Sequence, residues 1–436
     1  MNTNPGTPGL GDPLHNDDYA EQRDWAVYQL QQLVIDDGPG TDASFDFLSN
    51  AATAFDRRAE LSKVTASDIR RGFDMQGYRW VDQERQRAQY MLYRRYVYPQ
   101  LQGLSHSTAE VRQRAKAPLS GCEFYRFRHS DLGDRLKSQI NHFQLRDLVW
   151  ATSSYDVYFW HADGAQRWNP WLREIECVME RRRMPQSFDV SAFCADAGMA
   201  FAGNYRGKLC ATSLWAQDKR VAEVKLAAGI INHVSPNSFH GNVLVAHNSG
   251  YLYGVDAHTM LPSVLRRLEW AVNSCAQAPN GSSLQCVVGD STSGLLLDSR
   301  APASAAPAGV LEGHYDYSFS CAFSPDGRFV ATGCQDMAAR VYDVRYARGP
   351  LVALCGNLGA MRSVRFSPCG RFLMGAEPAD YVHLWDTQGF EHAQEIALMG
   401  EISGAAFSPD SGCLFVGVSD ALHSSGLIEF NAKRPA

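Results

Sequence analysis

The sequence lacks the short motifs around which many enzyme sites are built. It has no glycine-rich dinucleotide or phosphate loop, no zinc-protease helix motif and no serine-hydrolase elbow. Its eleven cysteines include no pair at the spacing of a zinc or iron–sulfur ligand set. These absences predict a chain that is not an enzyme and that has no catalytic residues, no metal site and no cofactor.

The sequence also lacks an apolar run long enough to span a bilayer, although 45% of its 436 residues are hydrophobic. Residues 1–18 have neither the basic start nor the apolar core of a signal peptide, and their composition predicts disorder. The odd number of cysteines, with Cys210, Cys286 and Cys334 at strand positions, favours buried thiols in a reducing compartment. We therefore expect no membrane partner and a cytoplasmic location, a nuclear location or both.

What the sequence does contain is a repeat near its C-terminal end. Phe323, Phe366 and Phe407 each precede a Ser-Pro turn and lie 43 and 41 residues apart. A period of roughly 40–45 residues, built from short apolar runs and turns, is that of a β-propeller blade. Weaker copies begin near residues 148, 190, 231 and 275, which brings the count to seven. The predicted fold is therefore all-β, a seven-bladed propeller over residues 118–436.

The unit from Gly313 to Asp343 resembles a WD40 repeat. It has a Gly-His pair ending at His314, Thr332 on its middle strand, Asp336 at a turn and Tyr342 where tryptophan is usual. The resemblance implies that the histidine, threonine and aspartate form a buried hydrogen-bonded network, which we prefer to a catalytic triad. It also implies that Tyr342 breaks the last link of that network.

Five shorter stretches look like those of an uncharacterised WD-repeat family found in fungi and plants. They are residues 74–80, 142–146, 356–360, 376–380 and 400–404. The similarity covers roughly residues 70–430. It supports the fold and implies that the N-terminal extension belongs to the family design, but the family brings no activity, substrate or partner.

A ring of blades must be closed, because closure leaves no long sheet edge for other chains to pair with. In WD40 propellers the final blade usually takes its outer strand from the chain before the first blade. Residues 123–128 alternate as such a strand should. The resemblance therefore predicts that they pair beside residues 427–430.

The extension before the propeller has a divided charge. Residues 1–69 contain twelve acids and four bases, and we expect them to be largely disordered or weakly helical. Residues 70–116 contain ten bases and four acids, and a basic, aromatic helical segment is predicted over 70–117, with its main helix at about 81–98. Its interleaved arginines and tyrosines could bind single-stranded nucleic acid, or the helix could lie on its own domain or on a partner.

Loops that the family geometry places on one rim of the propeller are the candidates for partner binding. Their residues are Tyr315, Tyr317, Gln335, Leu358, Glu377, Pro378 and Glu401. The two tyrosines are expected contact anchors, unless they simply pack over the turn below. Pro378 rigidifies a turn that leaves Glu377 free to point outward, so this departure from the repeat is either local turn chemistry or a contact site.

Two classes of function remain. The leading one is a noncatalytic WD40 scaffold or adaptor that mediates protein–protein interactions through the propeller rim and the N-terminal extension. The alternative is a nucleic-acid-associated factor that uses the basic helical segment, whose affinity would fall steeply with salt. The sequence identifies no individual partner for either function.

Overall fold

The computed structural model describes residues 61–79, 107–142, 147–185, 188–216, 219–237, 241–419 and 425–433. The predicted disorder of residues 1–18 and the predicted helix at 81–98 lie outside these ranges. All the described residues belong to one compact unit, residues 57–436. Among them, no helix has both the length and the apolar character needed to cross a membrane.

Four short elements precede the first blade. They are β1 (Lys63–Thr65), α1 (Ala66–Arg70), α2 (Thr108–Arg114) and β2 (Tyr125–Leu132). Three single turns of 3-10 helix occur in connections: Asp134–Leu136, Arg181–Arg183 and Val344–Tyr346.

Seven blades of antiparallel strands follow, as the repeat count predicted, and each of the first five is a separate four-stranded sheet. Blade 1 comprises β3 (Val149–Ala151), β4 (Val157–His161), β5 (Gly164–Asn169) and β6 (Glu174–Glu180). Blade 2 comprises β7 (Val190–Asp196), β8 (Met199–Asn204), β9 (Lys208–Ser213) and β10 (Ala222–Lys225). Blade 3 comprises β11 (Ile231–Asn237), β12 (Asn242–His247), β13 (Tyr251–Asp256) and β14 (Pro262–Arg267). Blade 4 comprises β15 (Val272–Gln277), β16 (Leu284–Gly289), β17 (Gly294–Asp298) and β18 (Gly309–Leu311). Blade 5 comprises β19 (Ser318–Phe323), β20 (Phe329–Cys334), β21 (Ala338–Asp343) and β22 (Val352–Cys355).

Blades 6 and 7 share one sheet because a single long strand runs through both. The remaining strands are β23 (Ser363–Phe366), β24 (Phe372–Ala376), β25 (Ala379–Asp386), β26 (Ala393–Phe407), β27 (Cys413–Val418) and β28 (Gly426–Ala432). The first half of β26 pairs with β25 as the outer strand of blade 6. Its second half, from Ile402, pairs with β27 as the inner strand of blade 7.

The Ser-Pro-Asp-Gly turn explains why each repeat begins as a hairpin. In blade 5 the Ser324 hydroxyl donates to Asp326 at 2.5 Å and accepts the Phe329 amide at 2.9 Å. Gly327 has a φ of +71°, a value that L side chains rarely adopt. Side-chain hydrogen bonds and one permissive glycine therefore set this turn, which is why its sequence recurs.

The predicted closing strand is confirmed, but it spans Tyr125–Leu132 rather than residues 123–128. β2 pairs antiparallel with β28 along its whole length, with Phe127 opposite Phe430 and Leu132 opposite Gly426. Tyr125 is buried at the start of β2, and its hydroxyl donates to the Ser411 carbonyl at 2.8 Å. The chain before blade 1 thus supplies the outer strand of blade 7 and closes the ring.

Part of the extension is built into the propeller, which the sequence did not predict. β1 adds a fifth strand to blade 7 by pairing with β2, with Lys63 opposite Asp131. The buried Gln76 amide donates to the Met399 carbonyl at 2.7 Å and accepts the Met399 amide at 2.6 Å. Residues 61–79 are therefore fastened to blade 7 and to the shared strand β26.

The core lies between neighbouring blades, and the first strands of successive blades contact one another around the propeller axis. All eleven cysteines are free thiols, and Cys210, Cys286 and Cys334 are buried as predicted. Small residues suit these strands because blade faces pack closely against one another.

Candidate functional site at the entry end of the propeller

The two ends of the propeller carry different loops. At one end lie the connections that lead into each blade, such as 312–317 and 356–362, and the turns between second and third strands, such as 335–337 and 377–378. We call this the entry end, and all seven predicted partner-binding residues lie in its loops or at their borders. The opposite end carries the turns between first and second strands and the loops between third and fourth strands.

A buried polar network joins the loop that enters blade 5 to the turn at Asp336, as the sequence predicted. His314 Nδ1 lies 3.1 Å from Asp336 Oδ2, and its Nε2 lies 2.7 Å from the Thr332 hydroxyl. The Tyr315 amide donates to the same carboxylate at 3.0 Å. The network therefore fixes the backbone that carries the rim tyrosines.

Arg340 is a member of this network that the sequence did not identify. Its Nη1 donates to Asp336 Oδ2 at 2.6 Å, and both side chains are buried. Burial alone would raise the pKa of Asp336, but His314 and Arg340 outweigh it and hold that pKa well below the usual range. Burial is also the main cause that lowers the pKa of His314, which favours a neutral imidazole.

The network contains residue types that can bind a metal ion, but the negative charge of Asp336 is already neutralised by Arg340. His314, Cys334 and Asp336 lie close to one another, and the Arg340 guanidinium lies against the carboxylate. The Cys334 thiol donates to the Asp316 carbonyl at 3.2 Å. A cation entering here would meet a guanidinium, so the arrangement is that of a structural lattice.

Tyr342 occupies the position where tryptophan is usual and keeps a structural role there. Its ring is fully buried, and its hydroxyl donates to the Glu312 carbonyl at 3.0 Å. Burial raises the pKa of this hydroxyl. Tyr342 therefore ties the third strand of blade 5 to the loop that enters the blade.

The structure contradicts the expectation that Glu377 points outward. Its carboxylate is fully buried and accepts the backbone amides of Asn357, Leu358 and Gly359, each at 2.6 Å. His383 Nε2 lies 2.7 Å from the same carboxylate. The side chain turns inward because the loop entering blade 6 presents three N–H donors that need an acceptor.

Glu377 thus does for blade 6 what Asp336 does for blade 5. Both carboxylates lie in the turn between the second and third strands and accept amides from the loop that enters the blade. Arg340, the partner of Asp336, lies opposite Thr332 of the second strand in blade 5. His383, the partner of Glu377, lies opposite Gly375, which is the equivalent position in blade 6. Of the two readings of this departure from the repeat, the geometry matches local turn chemistry.

Three further predicted contact residues are also buried. Leu358 packs with Ala379 and Tyr381, Pro378 is enclosed next to Glu377, and Gln335 is buried in the turn before Asp336. Neighbouring loops cover these three residues and bury their side chains. They can support a binding surface but cannot touch a partner directly.

Replacing Glu377 by glutamine is expected to lower the free energy of unfolding by about 3 kcal/mol, because each buried donor that loses its acceptor costs about 1–3 kcal/mol. The glutamine amide would place an NH₂ group against at least one of the three backbone amides. Urea denaturation followed by circular dichroism measures the change.

Glu391→Gln is the matched control, since Glu391 is exposed and pairs with Lys116 at 2.6 Å. It should have a much smaller effect. Equal stability of Glu377→Gln and the native chain would contradict the capping role of the carboxylate.

The exposed part of the predicted rim is small. Tyr317 is 47% exposed, whereas Tyr315 and Glu401 are half-buried. The guanidinium of Arg114 donates to the Tyr315 hydroxyl and lies 5.6 Å from its ring centre. The Arg340 guanidinium also lies 5.4 Å from the centre of the Tyr315 ring. The chain's own arginines therefore contact this predicted anchor.

Helix α2, the end of the basic segment, lies at this rim. Its Arg112 donates to the Asn357 carbonyl at 2.9 Å. Just beyond it, the Lys116 amide donates at 2.8 Å to the carbonyl of Ala353, which lies in β22. The last turn of the extension and the rim consequently form one continuous surface.

A second polar cluster joins blades that are not neighbours. Arg365 of blade 6 donates to Asp147, which precedes blade 1, and its guanidinium lies 3.9 Å from the Trp150 ring centre. His233 of blade 3 lies 3.2 Å from the same carboxylate. Burial would raise the pKa of Asp147, but Arg365 and His233 lower it. The cluster joins β11, the first strand of blade 3, and β23, the first strand of blade 6, to the segment before blade 1. No local sequence pattern indicates it.

The comparisons with known proteins agree with this architecture. The family model described as "WD domain, G-beta repeat" matches residues 306–343, the unit that holds the His314 network. The chain thus contains a WD40 repeat and folds as a WD40-type β-propeller. A chain in the crystal structure of a mitotic checkpoint complex has the same fold, with a TM-score of 0.60 and 16% identity, over 74% of this chain and 96% of that one.

Two curated proteins show weak sequence similarity. An uncharacterised protein of Schizosaccharomyces pombe is 23% identical over 291 residues, which are 63% of this chain and 81% of that protein. Pre-mRNA-processing factor 19 homolog 2 of Arabidopsis thaliana is 29% identical over 105 residues, which are 24% of this chain and only 19% of the length of that protein. The wider family of fungi and plants stays a prediction.

Proposed function

We propose that this chain is a noncatalytic scaffold that holds partner proteins at the entry end, on a surface formed jointly by Tyr317 and helix α2. WD40 repeats on a propeller support a role in protein interaction. The observation that carries the proposal is the docking of Arg112 and Arg114 on the rim, where Arg114 contacts Tyr315, two residues before the exposed Tyr317. Tyrosine and arginine are the residue types that most often anchor protein interfaces.

The buried carboxylates below this surface support the same function. Asp336 holds the loop that carries Tyr315 and Tyr317. Glu377 holds the loop that carries Asn357, which Arg112 contacts. A surface whose loops are already ordered loses less conformational entropy when a partner binds. The residues that the sequence predicted as contacts at Gln335, Leu358, Glu377 and Pro378 would then act as support.

The described end of the basic segment contacts the chain's own propeller, so two of its arginines are already engaged by protein groups, and for this reason we prefer the scaffold to the nucleic-acid factor. Arg112 and Arg114 each direct a guanidinium at the propeller. A nuclear location is part of the proposal, because the Arabidopsis relative is named a pre-mRNA-processing factor. The cytoplasm is the other location that the sequence allows.

Replacing Tyr317 by alanine is expected to remove the partner proteins that copurify with the tagged full-length chain from its native cells. The side chain is half-exposed, so the variant should fold as the native chain does. Quantitative mass spectrometry after gentle-salt purification, with and without nuclease, measures the loss. Partners of the native chain should resist nuclease.

Tyr346→Ala is the control, because Tyr346 is an exposed tyrosine at the opposite end. It should keep the entry-end partners. Arg114→Ala should weaken the same partners as Tyr317→Ala if α2 and the rim act together. An unchanged partner set in both variants would contradict the proposed surface, and recovery that nuclease abolishes would favour the nucleic-acid factor.

A further inference from the structure

The end opposite the entry end carries most of the large hydrophobic side chains that are exposed among the described residues. Of eleven large hydrophobic side chains exposed among the described residues, seven lie in its turns and loops. They are Tyr155, Trp171, Leu172, Trp215, Leu261, Tyr346 and Leu351. Exposed tryptophan next to other apolar side chains is typical of an interaction surface.

Three of these residues form a contiguous group on blade 1, which we call the blade 1 patch: Tyr155, Trp171 and Leu172. The Tyr155 and Trp171 rings meet edge to face at 6.1 Å. Trp171 is 63% exposed and Leu172 is 61% exposed. Such a group offers large apolar area that loses little side-chain entropy when it is covered.

The loop that carries the patch is ordered by its own hydrogen bonds. The Asn169 side chain accepts the Trp171 amide at 3.0 Å and the Leu172 amide at 2.8 Å. The Arg173 amide donates to the Asn169 carbonyl at 2.7 Å, and Arg173 has a φ of +60°. The two apolar side chains are thus held outward by a fixed turn.

Two guanidinium groups flank the patch, and their carboxylate partners lie below the surface. Arg128 lies 5.6 Å from the Trp171 ring centre and donates to Glu429, which is fully buried. Arg173 is largely exposed, and its guanidinium lies 3.8 Å from Asp131, which is buried. These two guanidinium groups therefore reach the surface, while the carboxylates that they contact lie beneath it.

Two of the acids that reach the surface near the patch are engaged by the chain itself, whereas Glu174, directly after Arg173, is exposed. Asp156 pairs with Arg167 at 2.6 Å. Asp410 accepts the Ser154 hydroxyl at 3.0 Å. Among the described residues, one Arg128 nitrogen contacts a carboxylate, which leaves other guanidinium N–H groups to meet an acceptor outside the chain.

We propose that the blade 1 patch binds an acidic protein segment in which a large apolar side chain lies next to aspartate or glutamate. The apolar side chain would pack against Trp171 and Leu172, and the carboxylates would meet the guanidinium groups of Arg128 and Arg173. Guanidinium groups match carboxylates in geometry as well as in charge. This surface lies at the other end of the propeller from Tyr317, so it stands independently of the proposed function.

The test selects phage-displayed random dodecapeptides on the full-length chain and measures their affinity by fluorescence anisotropy. The selected peptides should be enriched in aspartate or glutamate beside tryptophan, phenylalanine or leucine. Trp171→Ser should weaken them at least tenfold. Arg173→Asn should weaken them several-fold and reduce their salt dependence, and asparagine is chosen because it tolerates the positive φ of this residue.

Trp215→Ser is the matched control, since Trp215 is an exposed tryptophan at the same end of the next blade, and binding should be unchanged. Selection of basic or uncharged peptides, of no peptides, or of peptides that bind Trp171→Ser as well as the native chain would overturn the proposal. Self-association of the native chain in sedimentation, lost in Trp171→Ser, would also overturn it, because a second copy would then cover the patch.

Discussion

Asp336→Ala is expected to lower the free energy of unfolding by about 3–5 kcal/mol, because it leaves the buried guanidinium of Arg340 without its carboxylate. The Tyr315 amide and the His314 imidazole would lose the same acceptor. Urea denaturation followed by tryptophan fluorescence measures the loss. This change should exceed that of most single substitutions in a domain of this kind.

Two further variants test whether the uncompensated charge is the cause. Asp336→Ala combined with Arg340→Met should recover much of the lost stability, since the double variant leaves no buried charge. Asp298→Ala removes an aspartate that pairs with an exposed arginine, Arg300, at 2.7 Å and should have a far smaller effect. A loss in Asp336→Ala no larger than that in Asp298→Ala would show that Arg340 is readily hydrated.

Replacing residues 121–129 by a Gly-Ser segment of equal length is expected to abolish the cooperative melting transition of the whole propeller. The change removes the first half of β2, including the buried Tyr125 and the contact between Phe127 and Phe430. Burying an aromatic side chain of this kind contributes about 3–5 kcal/mol. Loss of the ladder also exposes the edge of β28. Differential scanning calorimetry measures the transition.

The same replacement of residues 301–308 is the control, since they form an exposed loop between β17 and β18. It should leave the transition close to that of the native chain. If the variant with residues 121–129 replaced melts like this control, the blades hold together without β2.

The repeat and its turns could be predicted because each is encoded locally, whereas the pairing of the closing strand follows from the resemblance to WD40 propellers. The Ser-Pro turns carry their own hydrogen-bonding side chains, and strand alternation marks β2. The roles of Glu377 and Arg340 could not be predicted in this way. The sequence of the turn that contains Glu377 is typical of an exposed loop. Glu377 is buried only because residues 357–359 fold over it.

The same limit applies to the rim and to the cluster of Arg365, Asp147 and His233. Arg365 comes from blade 6, His233 from blade 3 and Asp147 from the segment before blade 1, and only closure of the ring brings them together. Tyr317 lies in an entry-end loop and is exposed, and its role in binding stays a prediction; the contact of Arg114 with Tyr315 depends on where the extension lies. Sequence reasoning therefore located the loops and missed which of their side chains the fold encloses.

The closing strand also sets the order in which the protein can mature on the ribosome. β2 is made roughly 300 residues before its partner β28, which at about 5–20 residues per second corresponds to about 15–60 s of synthesis. During that interval β1 can cover one edge of β2, while the other edge waits for β28. A nascent propeller is thus an open arc with an unpaired margin. The ring can close only after all seven blades have been made, so every earlier blade depends on β28 to complete the structure.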